Sequence, residues 1–341
     1  MSSSSQRRPN VVFMMTDQQH ARMASCTGNR HLNTPALDSI AAYGVRFDRA
    51  YCTNPVCVPS RFSLFTGRMP SEIGLRSNRS RHLPEISERI KRLGLGWLLR
   101  EAGYETVYGG KVHLPKRLSP EDIGFDVLTK DERDGLADAC AGYIAREHDR
   151  PYFLVASFIN PHDICYMGIR DFATTDFDKA LLRNGETELA TLDRALQRPP
   201  AVAEEEFFEE LCPPVPPNFE PQEDEPEAIR MLLKERPFRW QERQEWSERR
   251  WREHRWAYCR LTESVDAQIG KILDAIRSRD CNGDTVIIFT SDHGDHDAAH
   301  RMEHKTVPYE EAASIPLLIS QPGTTPAGAV DETHLVSNGL D

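Results

Sequence analysis

The sequence predicts an α/β fold with a largely parallel central sheet covered on both faces by helices. Apolar runs such as "VVFMM", "YETVYGG", "PYFLVASFIN", "DTVIIFTSD" and "IPLLIS" read as strands, several with no polar alternation. A strand that is apolar at successive positions is buried on both faces. Segments with helical spacing lie between these runs, and an alternating order of strands and helices implies parallel pairing. In such sheets ligands bind beyond the carboxyl ends of the strands, and the polar strings "TDQQH", "NPHD" and "SDHGDHD" follow strands at that end.

Taken in order, Val11 to Met15 form the first buried strand. "TPALDSIAAYG" is then punctuated as a helix, with Thr34 as N-cap, Pro35 at the first helical position and Gly44 just past the last turn. "VRFDRAY" reads as a strand. In "NPVCVPSRFSLFTG", Pro59 suits a first helical turn, which puts Cys57 at a helix start. "GWLLREAG" is a helix that precedes the later strands. Between about residues 188 and 251 the chain turns rich in Pro and Glu, and is expected to be a solvated insertion or long loop, with a substrate-facing lid as the second reading. "WREHRWAYCRLTESVDAQIGKILDAI" carries Trp256, Leu261, Val265, Ile269 and Ile272 at helical spacing, so its aromatic residues read as packing.

With 341 residues, 39% of them hydrophobic, the chain can bury a sizeable core as one large unit or two smaller ones. A net charge of -11 argues against a nucleic-acid surface, which needs clustered Lys and Arg, but leaves small anions open. The eight cysteines are scattered and read as buried thiols, not as a disulfide framework. The opening "MSSSSQRRPNVVFMMTD" lacks the apolar region of a secretory signal, and no stretch is long and apolar enough to span a bilayer. The expected location is therefore cytoplasmic, with no membrane partner.

Asp17 follows one buried strand, and Asp292 and His293 follow another. Brought together by neighbouring parallel strands, they would form a cation site of mainly oxygen ligands. At a helix N-terminus the free N–H groups and the dipole favour a Cys57 thiolate or a bound anion. A phosphatase-type thiolate needs a longer loop of donors than "CVPSR", a zinc site needs more cysteines than Cys52 and Cys57, and a buried inert thiol stays open beside them. His296 and His300 read as idle histidines of a surface loop, and His162 as a loop histidine before Asp163.

These segments resemble the sulfatase family, a branch of the alkaline-phosphatase-like superfamily. "CVPSR" matches the family's CxPSR signature. "RPNVVFMMTDQQ", "NTPALDSIAAYGVRFDRAY", "GKVHL", "NPHD", "TSDHGD" and "KTVPYEEAASIPLLI" follow in the family's order over nearly the whole chain. The resemblance implies a three-layer alkaline-phosphatase-like fold and a single catalytic domain over residues 1–341. It also implies that a formylglycine-generating enzyme converts Cys57 before folding. One hydroxyl of the hydrated aldehyde would attack sulfur and the other would later expel sulfate. By the same resemblance, Asp17, Asp292, His293 and an oxygen on modified Cys57 hold a divalent cation, with Gln18 as a ligand or an outer hydrogen-bonding partner. Arg61 would reach back to the Cys57 hydroxylate. Lys111 would bind a sulfate oxygen, His113 would act as base on the same face of an extended chain, His162 and Lys305 would serve the leaving oxygen, and Asn78 would contact the anion.

Two departures from the family pattern matter. Gln18 stands where many members have a second aspartate, and His293 where many have asparagine. The cage is therefore less anionic and gains a nitrogen ligand, which binds Ca²⁺ less exclusively; Ca²⁺ stays the first expectation, with Mn²⁺ or Mg²⁺ made more plausible as alternatives. The same pairing occurs in the choline-sulfatase and phosphonate monoester hydrolase branches. The family also continues past "HLVSNGLD" into a small carboxyl-terminal subdomain. The expectation is that this part is missing, leaving an apolar patch at the sheet edge. The expected function is a sulfatase acting on the sulfate ester or sulfamate of a small molecule or saccharide. The alternatives are a phosphonate or phosphate diester hydrolase and a non-catalytic metal-binding remnant with unmodified Cys57. The oligomeric state is left open.

Overall fold

The computed structural model describes residues 8–78, 85–279, 284–339 and 341. The strands are β1 (Asn10–Asp17), β2 (Val45–Phe47), β3 (Ala50–Tyr51), β4 (Glu105–Gly110), β5 (Asp126–Thr129), β6 (Tyr152–Pro161), β7 (Thr285–Ser291), β8 (Leu317–Ser320), β9 (Ala329–Asp331) and β10 (Val336–Ser337). The helices of the first half are α1 (Pro35–Ala42), α2 (Cys57–Thr66), α3 (Glu88–Arg92), α4 (Leu95–Glu101), α5 (Leu136–Ile144) and α6 (Tyr166–Phe172). Then come α7 (Asp176–Asn184), α8 (Glu186–Ala195), α9 (Glu204–Glu206), α10 (Glu227–Lys234), α11 (Pro237–Glu245) and the 31-residue α12 (Glu248–Ser278).

Eight strands form one sheet in the order β5-β4-β6-β1-β7-β8-β2-β9, with the long apolar β1 and β6 at its centre. Pairing is parallel except at β8, which runs antiparallel to β7 and β2. Side chains alternate across a strand, so a run without polar residues must bury both faces. Val12 and Met14 point with Leu154, Ile287 and Phe289 into a core closed by residues of α1, α5 and α12. Phe13 and Met15 point the other way, with Phe153 and Val155, against Phe62 and Phe65 of α2. Each such side chain contributes about 1.5–3 kcal/mol on burial.

Strand register places the chemistry. Asp17 pairs with Pro161, Thr16 with Ser291 and Gly110 with Ser157, so β1, β4, β6 and β7 all end at one edge. The residues that follow are His162, Asp292 and Lys111, beside Asp17 itself.

Some local expectations are corrected. Thr34 precedes α1, but its hydroxyl accepts from the Ser25 amide. The first amides of α1, at Ala36 and Leu37, donate instead to the Asp266 carboxylate of α12, at 3.0 and 2.9 Å. Gly44 is needed for close approach, not for a left-handed turn, since a Cβ there would lie 2.2 Å from the Ile319 carbonyl oxygen. "VRFDRAY" breaks into β2, in the main sheet, and β3, which pairs with β10.

The segment from 188 to 251 is not a solvated loop. Much of it is helical, and two of its prolines sit where helices start: Pro226 precedes α10 and Pro237 opens α11. Phe207, Phe208 and Cys212 pack on Trp256 of α12, and Arg243 pairs with Glu225 at 3.0 and 2.7 Å in a buried ion pair.

An open, largely apolar groove of about 570 Å³ runs beside Val336–Ser337, lined by Val11, Phe13, Leu98, Leu99, Ile288 and Ile319. Among the described residues, no helix is long and apolar enough to cross a membrane, and the cysteines are free thiols.

Candidate active site

Cys57 is the first residue of α2 and is fully buried. Its Sγ lies 3.1 Å from His293 Nε2 and 3.7 Å from Asp17 Oδ1. His293 Nε2 is in turn 3.5 Å from Asp292 Oδ1 and 3.8 Å from Asp17 Oδ1. The other ring nitrogen, Nδ1, donates to the Gly294 carbonyl at 2.8 Å, which turns the Nε2 lone pair toward the cluster. The four donor atoms all lie within 4.8 Å of one another. Separations of this size suit a cation with bonds of about 2.0–2.5 Å. Two carboxylates, one imidazole and an oxygen at position 57 would be a donor set for a hard divalent ion, so the residues present fit the cation that the sequence implies.

Arg61, one turn along α2, is fully buried. Its guanidinium donates to Asp292 at 2.7 Å, Asp17 at 3.2 Å, Ser157 Oγ at 2.8 Å and the Lys111 carbonyl at 3.0 Å. Arg61 therefore clamps the two aspartates from behind and does not donate to Cys57. The direct reach is not made to the Cys57 thiol, because four of the five guanidinium N–H groups have these other acceptors.

Lys111 Nζ lies 2.6 Å from Asp17, and Lys305 Nζ lies 3.8 Å from it on the other side. Two carboxylates thus face three cations, Arg61, Lys111 and Lys305, giving a locally positive pocket in an acidic protein. Burial alone would raise the Asp17 pKa, but Lys111, Lys305, His162 and Arg61 together hold it well below the usual carboxylate range. Asp292 is raised by burial and by the charge of Asp17. Burial opposes ionisation of Cys57 and so does Asp17, yet Lys305, His293 and Lys111 bring its thiol well below the ordinary value. His162, half-buried after β6, is pushed well below its ordinary value by burial and by the two lysines. Its turn is anchored by Asp163, whose carboxylate accepts from Arg133.

The structure separates the remaining candidates from this group. Gln18 sits in left-handed backbone at φ 72. Its amide oxygen accepts from Lys305 at 2.5 Å and its amide nitrogen donates to Asp295 at 2.6 Å, so its side chain is held one layer behind the aspartates. Asn78 accepts from the Val58 amide at 2.9 Å, capping the first turn of α2. His113 does not share a face with Lys111. β4 ends at Gly110, and His113 is exposed with φ 40, which breaks the alternation assumed for an extended chain. His296 and His300, read as surface histidines, are both buried.

Several supports had no sequence signal. Ser157 lies inside an apolar strand, Asn338 donates to Ser60 Oγ at 2.8 Å and the Asp292 carbonyl at 3.3 Å, and Tyr258 donates to the Gln18 carbonyl at 2.5 Å. Tyr258 falls on the apolar face of α12, so its spacing disguises its hydroxyl.

The comparisons with known proteins agree with this geometry. The sulfatase family profile matches residues 9–119 and 120–338. The chain is 26% identical to the Delta 4,5-hexuronate-2-O-sulfatase of Bacteroides thetaiotaomicron, over 94% of this chain and 64% of that protein. It is 28% identical to YidJ, an uncharacterized sulfatase of Escherichia coli, over 93% of this chain and 63% of YidJ. It thus spans less than two thirds of the length of these curated relatives. In fold it resembles BT1596, a 2-O GAG sulfatase (TM-score 0.76, 24% identity, 98% of this chain and 69% of that one). It also resembles the phosphonate monoester hydrolase of Agrobacterium radiobacter (TM-score 0.68, 19% identity, 97% and 72%). With the profile matched along almost its whole length, the chain belongs to the sulfatase family.

Proposed function

We propose that the protein is a metal-dependent sulfuric ester hydrolase, with position 57 as the nucleophile. The observation that carries this reading is the convergence of Cys57, Asp17, Asp292 and His293 at a helix N-terminus beneath Lys111 and Lys305. When present, the cation would polarise the sulfate, and formylglycine at position 57 would supply an attacking hydroxyl that a plain thiol cannot regenerate. Ca²⁺ is the first candidate, with Mn²⁺ or Mg²⁺ next.

The chain's own residues then have separable tasks. Arg61 keeps both aspartates ionised and oriented. Lys111 and Lys305 neutralise sulfate oxygens, a fixed arrangement of charge that needs no reorganisation during reaction. His162 stays neutral through burial and the two nearby lysines. An arriving sulfate adds negative charge beside it and raises its basicity, which suits it to hold a proton for the leaving oxygen. Gln18 sets the position of Lys305 from the outer layer, and Asn78 presents its amide nitrogen beside the start of α2. His113 serves as base only after its loop turns inward.

Of the relatives named above, one is a Delta 4,5-hexuronate-2-O-sulfatase, so sulfated saccharides are the first substrates to test. Mass analysis of the peptide containing Cys57, followed by a sulfate-release screen on metal-loaded protein, tests the proposal. Aldehyde at position 57 with sulfate release is the expected result. Converted, metal-loaded protein that releases no sulfate across aryl and sugar sulfates would refute it, and a thiol alone in protein from its native host would favour a non-catalytic role. Gln18 and His293 favour a second reading, hydrolysis of phosphonate or phosphate diesters. A higher kcat/KM on diesters than on matched sulfates would establish it.

A further inference from the structure

Behind the site just described lies a second group of ligating side chains that the proposed reaction does not use. Glu242 comes from α11, His254 from α12, and Glu303 with His304 from the loop that leads to Lys305. All four are at most 4% exposed. His304 Nε2 lies 2.5 Å from Glu303 Oε1, and His254 Nε2 lies 3.4 Å from Glu303 Oε2. One ligand atom each from Glu242, Glu303 and His304 fall within 4.8 Å of one another.

Apart from one another and His304 Nε2, the oxygens of Glu242 and Glu303 have no hydrogen-bond partner among the described residues, and neither ring nitrogen of His254 has one. Nor does any lysine or arginine among them form an ion pair with either glutamate. Buried charge without a partner is costly, and buried polar groups in native proteins are as a rule satisfied. His254 adds an independent sign, since a fully buried imidazole with no hydrogen bond is aimed at the carboxylates. Gly168 of α6 adds another. A Cβ there would lie 2.1 Å from Glu242 Oε2 and 2.4 Å from Glu303 Oε1, so the absence of a side chain at that position makes room for the carboxylate pair.

We infer that Glu242, Glu303, His304 and His254 bind a second divalent cation, distinct from the one expected beside Cys57. Two carboxylate oxygens and two imidazole nitrogens suit Zn²⁺, Mn²⁺ or a similar first-row ion. A dication neutralises both glutamates and takes one ring nitrogen each from His254 and His304. His304 Nδ1 faces Cys165 Sγ at 2.8 Å, a contact that orients the ring with Nε2 toward the carboxylates. The ion ties α11 and α12 to the loop residue next to Lys305, so its role is to fix the end of that loop.

Metal content after chelator stripping and reloading with Zn²⁺ or Co²⁺ tests this on the full chain. The expected result is one equivalent that survives Asp292→Asn and is lost in Glu303→Gln, with visible Co²⁺ absorption in the Asp292→Asn protein. If Glu303→Gln fails to fold, the unaltered protein and Asp292→Asn still decide, through stoichiometry and spectrum. Saturation of the unaltered protein at one equivalent that disappears in Asp292→Asn would overturn the inference, and would show that the two glutamates share a proton instead.

Discussion

Replacing Arg61 by methionine removes a guanidinium that donates to Asp292, Asp17, Ser157 and the Lys111 carbonyl in a fully buried setting. Methionine keeps much of the volume, so the loss is mainly one of charge and hydrogen bonds. Breaking a buried ion pair by removing one partner costs about 3–5 kcal/mol, because the surviving charge is left uncompensated. Unfolding entropy is about 2.1 cal/mol/K per residue, which for 341 residues is about 0.7 kcal/mol/K. The metal-free variant should therefore melt roughly 4–7 °C below the parent in scanning calorimetry with chelator present. A divalent ion supplies positive charge to the same two carboxylates, so adding Ca²⁺ or Mn²⁺ should raise the melting temperature more in Arg61→Met than in the parent. An unchanged metal-free melting temperature would refute the idea that Arg61 neutralises the aspartates. An identical deficit with and without cation would refute the claim that guanidinium and metal act on the same charge.

Asp266→Ala should cost about 1–2 kcal/mol in urea unfolding at neutral pH, since it removes the acceptor for the first two amides of α1; no loss would mean that Thr34 takes over the cap. Asp297 is buried, which alone would raise its pKa, but Arg255, at 3.1 and 2.9 Å, together with His20, depresses it below the unfolded value of 3.8. A depressed carboxylate pKa contributes stability above pH ~4 that is lost as pH falls through the folded value. Arg255→Met should therefore flatten the acid limb of stability followed by circular dichroism, and an unaltered acid profile would sink this account. Under the proposed reaction, Lys111→Ala and Lys305→Ala should each lower kcat on an organic sulfate by about 10²–10³. Steady-state kinetics in which only KM moves would assign them to ground-state binding instead.

The sheet was legible because its central strands carry a strong physical signal. A run such as "PYFLVASFIN" has no polar face, so only a doubly covered strand accommodates it. Fine structure was less legible where one residue answers to a distant partner. Nothing near Thr34 announces that α1 is capped by Asp266, 230 positions away from Ala36. The strand break at Asp48 depends on β8 and β10, which lie far along the chain. Composition misled in the segment from 188 to 251, where Pro226 and Pro237 mark helix starts and the Pro- and Glu-rich background hides short helices.

At the site, the convergence of Asp17, Asp292 and His293 at strand ends could be read from sequence, whereas the contacts that hold them could not. Arg61 was read as reaching Cys57, one turn away along the helix, yet its stronger attraction is to two buried carboxylates that only the folded sheet brings near. His113 failed for a local reason, because alternation along an extended chain ends where the backbone turns left-handed at φ 40.

The loop after β7 shows why the misread insertion matters to the chemistry. It begins with Asp292 and His293 and ends with Lys305, so its conformation sets the distance between the cluster around Cys57 and the lysine proposed to bind the anion. Left-handed backbone occurs at Asp297, Ala298, His300, Arg301, His304 and Thr306. Such conformations cost on the order of 1–3 kcal/mol each and persist only where the surroundings impose them. The insertion supplies part of that constraint. The His300 amide donates to the Asn218 carbonyl at 2.8 Å, and Arg301 donates to Glu220 at 3.0 and 2.8 Å. Ile229 and Leu233 of α10 pack on Met302 and Val307, on either side of Lys305. The insertion therefore acts on the site through the placement of Lys305. Under the proposed reaction, substitutions at its contacts with this loop should disturb anion binding before they disturb the cation expected beside Cys57, because the β1 and β7 ends that carry Asp17 and Asp292 are fixed by the sheet.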